Sequence, residues 1–317
     1  MPFWKVFLDP ADQAGAMDFQ RWLSVGGGSA CRAFAEWQVN TRLPESGFQS
    51  RAGSRVKCVL RVCACLNLPN GETMAHRTYS WRSMKTLTVL VPIYNEERTI
   101  VQLVGQLSEL PLGTIKQCIF VDDGSTDRSV ELLTQALKQS DLPHLILKKE
   151  NGGKASAIKD GAKHLSTSHV VILDSDLELA TSDISKLWEI VQKDESDFVF
   201  GYRKFLAQSS FTWRYSRGNQ LISNLYGLFF NEVITDIMCG YKLIPSTSLQ
   251  QLPYRYKKFG LEIEIPMHMW QLRQRPYEVE VSYKARSRAQ GKSISVKDAL
   301  SVILSMATFR ITHRRTK

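Results

Sequence analysis

Asp174, Asp176 and Glu178 stand at i, i+2 and i+4. In an extended segment that spacing puts three carboxylates on one face. Three oxygen donors suit a hard divalent cation, Mg²⁺ or Mn²⁺. A cation held there would bridge a substrate diphosphate and neutralise a departing nucleotide. A solvated acidic turn is the blander reading, and the apolar run Val170–Leu173 directly upstream favours the metal. Three more polar clusters follow apolar runs: Pro92, Tyr94 and Glu96 in Pro92–Glu97; Asp122 and Asp123 in Asp122–Asp127; and Lys154 after Asn151–Gly153. An acid at a strand end either caps the next helix or accepts hydrogen bonds from a base or ribose. A lysine at a helix start meets phosphate with both its charge and the helix dipole.

Regular elements must position these groups. Leu87–Val91, Cys118–Val121, His144–Leu147 and Val170–Leu173 read as short buried strands, the first ended by Pro92. Helices are expected over Glu96–Leu110, Ser129–Lys138 and Lys154–His164. Apolar strands alternating with helices predict an α/β fold, with a mostly parallel central sheet covered by helices on both faces. Ligands of such sheets bind beyond the carboxyl ends of the strands, where the acids, glycines and Lys154 lie.

In the second half, Arg203 follows a strand-like Phe198–Gly201. Arg214 and Arg217 lie i, i+3 on an expected helix over Trp213–Phe230 and share one face. These three are candidates for orienting an anionic acceptor. A phosphate monoester is already ionised near neutrality, so its attack needs no general base. A hydroxyl acceptor needs one, and Asp236 is the candidate. Glu262 and Glu264 either orient the acceptor loop or begin the helix running through Trp270. The helix Ser295–Arg310 and the basic residues Arg310, His313, Arg314, Arg315 and Lys317 read either as a membrane-surface element or as charge complementing a helix terminus.

These motifs taken together resemble the family 2 glycosyltransferases. The run Val91–Glu96, then Val121–Asp127, Asn151–Lys154 and Asp174–Asp176 carries the resemblance, most closely to the dolichol-phosphate (polyprenyl-phosphate) mannosyltransferase-like enzymes. It continues through Gly201–Arg203, Thr235–Lys242, Phe259–Glu264, Tyr283–Arg286 and Gly291-Lys292, and covers 87–310. The resemblance implies a GT-A fold and an inverting hexosyltransferase. It implies a nucleotide-sugar of the GDP-mannose or UDP-glucose type at Pro92, Tyr94, Glu96, Asp122, Asp123, Lys154 and Asp174. A metal would sit at Asp174, Asp176 and Glu178, although many relatives place glutamine at position 178. Asp176, Arg203 and Asp236 are the catalytic candidates, and Arg203 is the position where relatives use an arginine toward the acceptor. A polyprenyl or dolichyl phosphate acceptor, the cytoplasmic face of a membrane and small membrane partner subunits complete the expectation. A transferase acting on a glycan hydroxyl and a silent nucleotide-sugar binding module are the alternatives.

Composition bounds these readings. The 317 residues are 43% hydrophobic and 23% charged, a globular profile. No apolar run approaches the ~20 residues of a membrane-spanning helix, and no secretory signal follows Lys5. The chain is therefore expected to be soluble or peripheral. The +10 charge divides evenly: residues 1–85 hold 11 basic and 6 acidic residues, and residues 86–317 hold 30 and 25. The second region is thus only mildly basic, carries no nucleic-acid motif, and its ring of acids would repel a phosphate backbone, so nucleic acid is not expected. Residues 1–85 contain no isoleucine against 18 beyond, together with four of seven tryptophans, and show no sustained period. They are expected to be a poorly ordered extension or sequence upstream of the true start, ahead of a catalytic domain over 86–317. None of the six cysteines forms a CxxC pair, which argues against zinc.

Overall fold

The computed structural model describes residues 59–61, 78–80, 85–111, 113–204, 213–256, 260–284 and 296–313, with backbone alone at 59–61, 78–80, 213–215 and 296–297. The chain divides into two compact units, Met1–Met84 and Lys85–Lys317. In the first, β1 (Val59–Arg61) pairs antiparallel with β2 (Thr78–Ser80), Val59 opposite Ser80. The rest of the expected N-terminal extension lies outside the described residues.

The second unit is built on one sheet. β3 (Leu87–Ile93) leads to α1 (Ile100–Ser108), β4 (Gln117–Asp122), α2 (Ser129–Lys138) and β5 (His144–Lys148). Then come α3 (Lys154–Ala162), β6 (His169–Ile172), α4 (Asp183–Gln192), β7 (Val199–Arg203) and α5 (Trp213–Phe230). β8 (Lys242–Pro245), α6 (Ser246–Gln250), α7 (Gly260–Gln271), β9 (Tyr277–Val281) and α8 (Val296–Thr312) complete it. The strand order is β5-β4-β3-β6-β8-β7-β9. β3 pairs parallel with β4 and β6, β4 with β5, and β7 with β9. β8 alone runs against its neighbours β6 and β7. The sheet is therefore mixed but mostly parallel.

β3 is buried along its whole length, as an interior strand must be when helices cover both faces. Its side chains alternate between two cores. Leu90 packs with α3, α5, α7 and α8 residues such as Ile158, Tyr226, Met267 and Met306. Val89, Val91 and Ile93 pack with Leu103, Leu133 and Leu187 of α1, α2 and α4 on the other face. Each such apolar side chain contributes about 1.5–3 kcal/mol by leaving water.

Pro92 does not end β3, which continues to Ile93. Pairing with β6 stops at Leu90 opposite Ile172, so the missing Pro92 N–H costs no ladder bond. The Pro92 carbonyl instead accepts the hydroxyl of Ser175 at 3.0 Å. α1 begins four residues later than expected, because Asn95 takes a left-handed φ of 56° and Glu96 to Thr99 form a turn. Cys118 and Cys239 are buried free thiols, and burial, reinforced by Asp236, pushes the Cys239 thiol up to about 11. The side chains of the other four cysteines lie outside the described residues. Among the described residues no helix is long and apolar enough to cross a membrane.

Candidate active site

The strand order reverses direction at β3: β4 and β5 lie on one side of it, β6 on the other. A sheet with that topology opens a crevice at the carboxyl ends of the central strands. Four loops meet there, and hydrogen bonds lock them to one another.

The turn after β3 is fastened to the turn after β4. Asn95 N–H donates to Ser125 Oγ at 3.0 Å, and Thr126 N–H donates to Asn95 Oδ1 at 2.8 Å. Glu96 N–H donates to Ser129 Oγ at 2.7 Å, and Glu97 N–H donates to Asp127 Oδ2 at 3.2 Å. Burial raises the Asp127 carboxyl, but hydrogen bonds from Ser129 and Glu97 outweigh it and hold the pKa below the ordinary value. Pro92 is buried and Tyr94 exposed at this rim.

Asp122 and Asp123 are both buried. Asp122 Oδ1 accepts the N–H of Ser125 at 3.1 Å. Asp123 anchors the loop ahead of α3: Lys149 Nζ donates to Oδ1 at 2.6 Å, Gly152 N–H to Oδ1 at 2.9 Å, and Gly153 N–H to Oδ2 at 2.6 Å. Gly153, at φ 87°, supplies the left-handed residue that lets Lys154 open the helix. The sequence offered no role for Lys149, although a lysine directly after a strand and before Asn151-Gly152-Gly153 was its signal.

Lys154 joins the two halves of the domain. Its ammonium lies 2.7 Å from Asp174 Oδ1, in the loop after β6, and 2.9 Å from Glu262 Oε1, in the first turn of α7. Burial pulls the Lys154 pKa down, but the two carboxylates outweigh that cost and hold it above the ordinary lysine value. Gly240 closes the site from below, since a Cβ there would stand 2.7 Å from Asp174 Oδ2.

The three expected metal-binding carboxylates have separate engagements. Asp174 pairs with Lys154. Asp176 Oδ1 accepts the N–H of Glu178 at 3.1 Å, across a turn in which Leu177 is left-handed at φ 60°. Glu178 Oε2 accepts the hydroxyl of Tyr283 at 2.8 Å. Among the described residues no three His, Cys, Asp or Glu side chains are placed to share one metal ion. The donor chemistry still fits Mg²⁺ or Mn²⁺, which are commonly held by one or two carboxylates together with substrate phosphate oxygens. A cleft of about 1170 Å³ adjoins this turn, lined among others by Glu96, Thr99, Gln102, Asp176, Glu178 and Tyr283.

Arg203 ends β7 and is buried against Asp236. Its Nε lies 2.6 Å from Oδ2 and its Nη2 3.0 Å from Oδ1, a bidentate pair. The guanidinium also stacks 5.1 Å over the ring of Tyr283, so Arg203 and Glu178 share that tyrosine. Sequence reasoning gave Tyr283 no role of its own. The loop carrying Asp236 is held by Ser223, whose Oγ accepts Ile237 N–H at 3.1 Å, and by buried Lys242, which donates to the carbonyls of Ile237 and Cys239. Arg217 is exposed on α5, and the Arg214 side chain lies outside the described residues. Glu264 accepts the N–H of Arg255 at 3.0 Å and so holds the turn ahead of α7.

Comparison with known proteins bears on this arrangement. The fold is similar to that of glucosyl-3-phosphoglycerate synthase from Mycobacterium tuberculosis. In complex with Mn²⁺, UDP-glucose and phosphoglyceric acid, that structure aligns with a TM-score of 0.58 at 18% identity, covering 73% of this chain and 81% of that one. This likeness assigns the GT-A fold. An uncharacterised protein of Methanocaldococcus jannaschii is 24% identical over 176 residues, covering 53% of this chain and 75% of its own. The undecaprenyl-phosphate 4-deoxy-4-formamido-L-arabinose transferase of Edwardsiella ictaluri is 25% identical over 215 residues, covering 67% of this chain. Its counterpart in Salmonella paratyphi B is 32% identical over 122 residues, covering 37% of this chain. The chain spans only 64% and 36% of the lengths of those two transferases. The profile of glycosyl transferase family 2 matches residues 88–252, over half of the chain and the segment that supplies the ends of β3 to β8, and the chain therefore belongs to that family.

Proposed function

We propose that the chain transfers a hexose from a nucleotide-sugar to a polyprenyl phosphate at the cytoplasmic face of a membrane. The observation that carries this reading is the pairing of Arg203 with Asp236. A hydroxyl acceptor needs a base that can reach it, and both oxygens of Asp236 are engaged by buried Arg203. A phosphate acceptor needs none, since its oxygen is already anionic. The names of the undecaprenyl-phosphate relatives support the same choice.

In this reading the loops after β3 and β4 hold the base and ribose, through Pro92, Tyr94, Glu96, Asp122 and Asp123. Lys154 exchanges Asp174 for the donor diphosphate, which frees Asp174 toward the ribose and metal. One or two of Asp174, Asp176 and Glu178 would supply oxygens to Mg²⁺ or Mn²⁺, and the bound cation would neutralise charge on the departing nucleoside diphosphate. Arg203, with Arg214 and Arg217 of α5, orients the acceptor phosphate in line with the anomeric carbon. One acceptor oxygen bonds to that carbon as the bond to the nucleotide breaks, which inverts the configuration.

Exposed Leu300 and Leu304, one turn apart on α8 and followed by exposed Arg310, support contact with a lipid surface or a small membrane subunit. The basic tail Arg314, Arg315 and Lys317 lies outside the described residues. The test is incubation with Mn²⁺, polyprenyl phosphate and a panel of GDP- and UDP-hexoses. Transfer to the lipid supports the reading. Transfer to a glycan hydroxyl, with the lipid untouched, refutes it.

A further inference from the structure

β9 serves two neighbours at its carboxyl end. It runs parallel beside β7, with Val281 opposite Arg203. The next three residues are fastened instead to the turn that carries the acids. Leu179 and Tyr283 face each other in an antiparallel bridge. Ala180 N–H donates to the Ser282 carbonyl at 3.2 Å, and Lys284 N–H donates to the Glu178 carbonyl at 2.8 Å. Ser282 N–H donates to Asp183 Oδ2 at 2.5 Å, at the start of α4. The Tyr283 backbone is thereby fixed between the end of β7 and the loop after β6.

The Tyr283 side chain reaches both neighbours. Its hydroxyl donates to Glu178 Oε2 at 2.8 Å, since an ionised carboxylate only accepts. Its ring carries the Arg203 guanidinium 5.1 Å from the centroid. Tyr283 is half-buried and Arg203 buried. A hydrogen bond to a carboxylate fixes the direction of its oxygens, and metal-holding carboxylates owe about 10- to 100-fold in metal affinity to such partners. An aromatic face holds a guanidinium by its charge and limits the directions its fork can take. Asp236 holds two nitrogens of the same fork. The aspartate thus fixes the guanidinium edge, and the tyrosine fixes its plane.

We infer that Tyr283 is a positioning residue for both sides of the reaction: its hydroxyl sets Glu178 toward the divalent cation of the donor, and its ring sets the Arg203 fork toward the acceptor phosphate. This rests on the function proposed above, with Glu178 among the metal-holding carboxylates. Tyr283 acts through those two side chains. Phenylalanine separates the two halves of the inference, because it keeps the ring and lacks the hydroxyl. Leucine lacks both and remains apolar.

The experiment compares Tyr283→Phe and Tyr283→Leu with wild type in two measurements, each protein checked by thermal melting. The first is Mn²⁺ binding in the presence of UDP, read by calorimetry. The second is the KM for polyprenyl phosphate at saturating Mn²⁺ and nucleotide-sugar. Tyr283→Phe is expected to raise the Mn²⁺ dissociation constant about tenfold or more and to leave the lipid KM unchanged. Tyr283→Leu is expected to weaken Mn²⁺ equally and to raise the lipid KM several-fold as well. Unchanged Mn²⁺ affinity in Tyr283→Phe, or one lipid KM shared by both variants, overturns the inference. Parallel loss of both quantities in Tyr283→Phe, with a lowered melting temperature, also overturns it, since a merely structural tyrosine gives that pattern. If wild type binds no Mn²⁺ with UDP and transfers nothing to the lipid, the proposed function fails and takes the inference with it. If wild type does both and the variants match it, only the inference fails.

Discussion

Arg203 and Asp236, 33 residues apart, form a bidentate ion pair in which both side chains are buried, with N–O distances of 2.6 and 3.0 Å. Removing one partner leaves the other charge buried and alone, which typically costs about 3–5 kcal/mol. Asp236→Ala is accordingly expected to lower the unfolding free energy by that amount in urea titration, even without substrate. A loss below about 1 kcal/mol, the scale of an exposed pair, would contradict the buried geometry.

Lys154 is expected to hold the donor diphosphate once it leaves Asp174. Lys154→Met removes a charge-assisted hydrogen bond of about 1.5–3 kcal/mol, so the nucleoside diphosphate dissociation constant should rise roughly 10- to 100-fold. Calorimetry of UDP and GDP reads this directly. Unchanged affinity would place the diphosphate elsewhere.

Gly240→Ala tests the packing beneath Asp174. The added Cβ would stand 2.7 Å from Asp174 Oδ2 and must displace that carboxylate, which is the free end of a side chain rather than backbone. Donor affinity should therefore fall several-fold while the melting temperature changes little. A large melting loss with donor affinity intact would argue against this role.

His268, on α7, has a buried Nε2 with no hydrogen-bond partner among the described residues, and burial pulls its pKa below the ordinary 6.5. Above that pH the imidazole is neutral folded and unfolded alike. Below it, the unfolded chain takes up the proton first, so stability falls as pH drops through 6.5 toward the folded value. Glu264 and Glu278, whose carboxyls burial raises, act in the opposite sense and are common to wild type and variant. The stability of wild type relative to His268→Leu should thus decline between pH 7.5 and 5. A pH-independent difference would contradict a buried neutral imidazole.

Much of the first half was legible because its signals are local. The apolar runs at Leu87, Cys118, His144 and Val170 each became a strand, and α2 and α5 took the bounds that their periodicity suggested. The second half depends on pairings distant in sequence, which a local period cannot carry. β8 is only four residues long and enters the sheet antiparallel between β6 and β7. Glu178 and Tyr283 meet across 105 residues, and Lys154 and Glu262 across 108. The sequence suggested a diphosphate lysine and an acceptor-half glutamate separately, and only the fold brings them to one ion pair. Asp236 was legible as a chemically interesting acid, but its bidentate contact with Arg203 was not.

The measurement closest to the central claim is the structure of the lipid product. Polyprenyl phosphate incubated with the chain, Mn²⁺ and its preferred nucleotide-sugar should gain the mass of one hexose residue. Its ³¹P resonance should move from monoester to diester, with the anomeric configuration inverted relative to the donor. An unchanged lipid, with nucleoside diphosphate released at the same rate whether or not the lipid is present, would contradict the account.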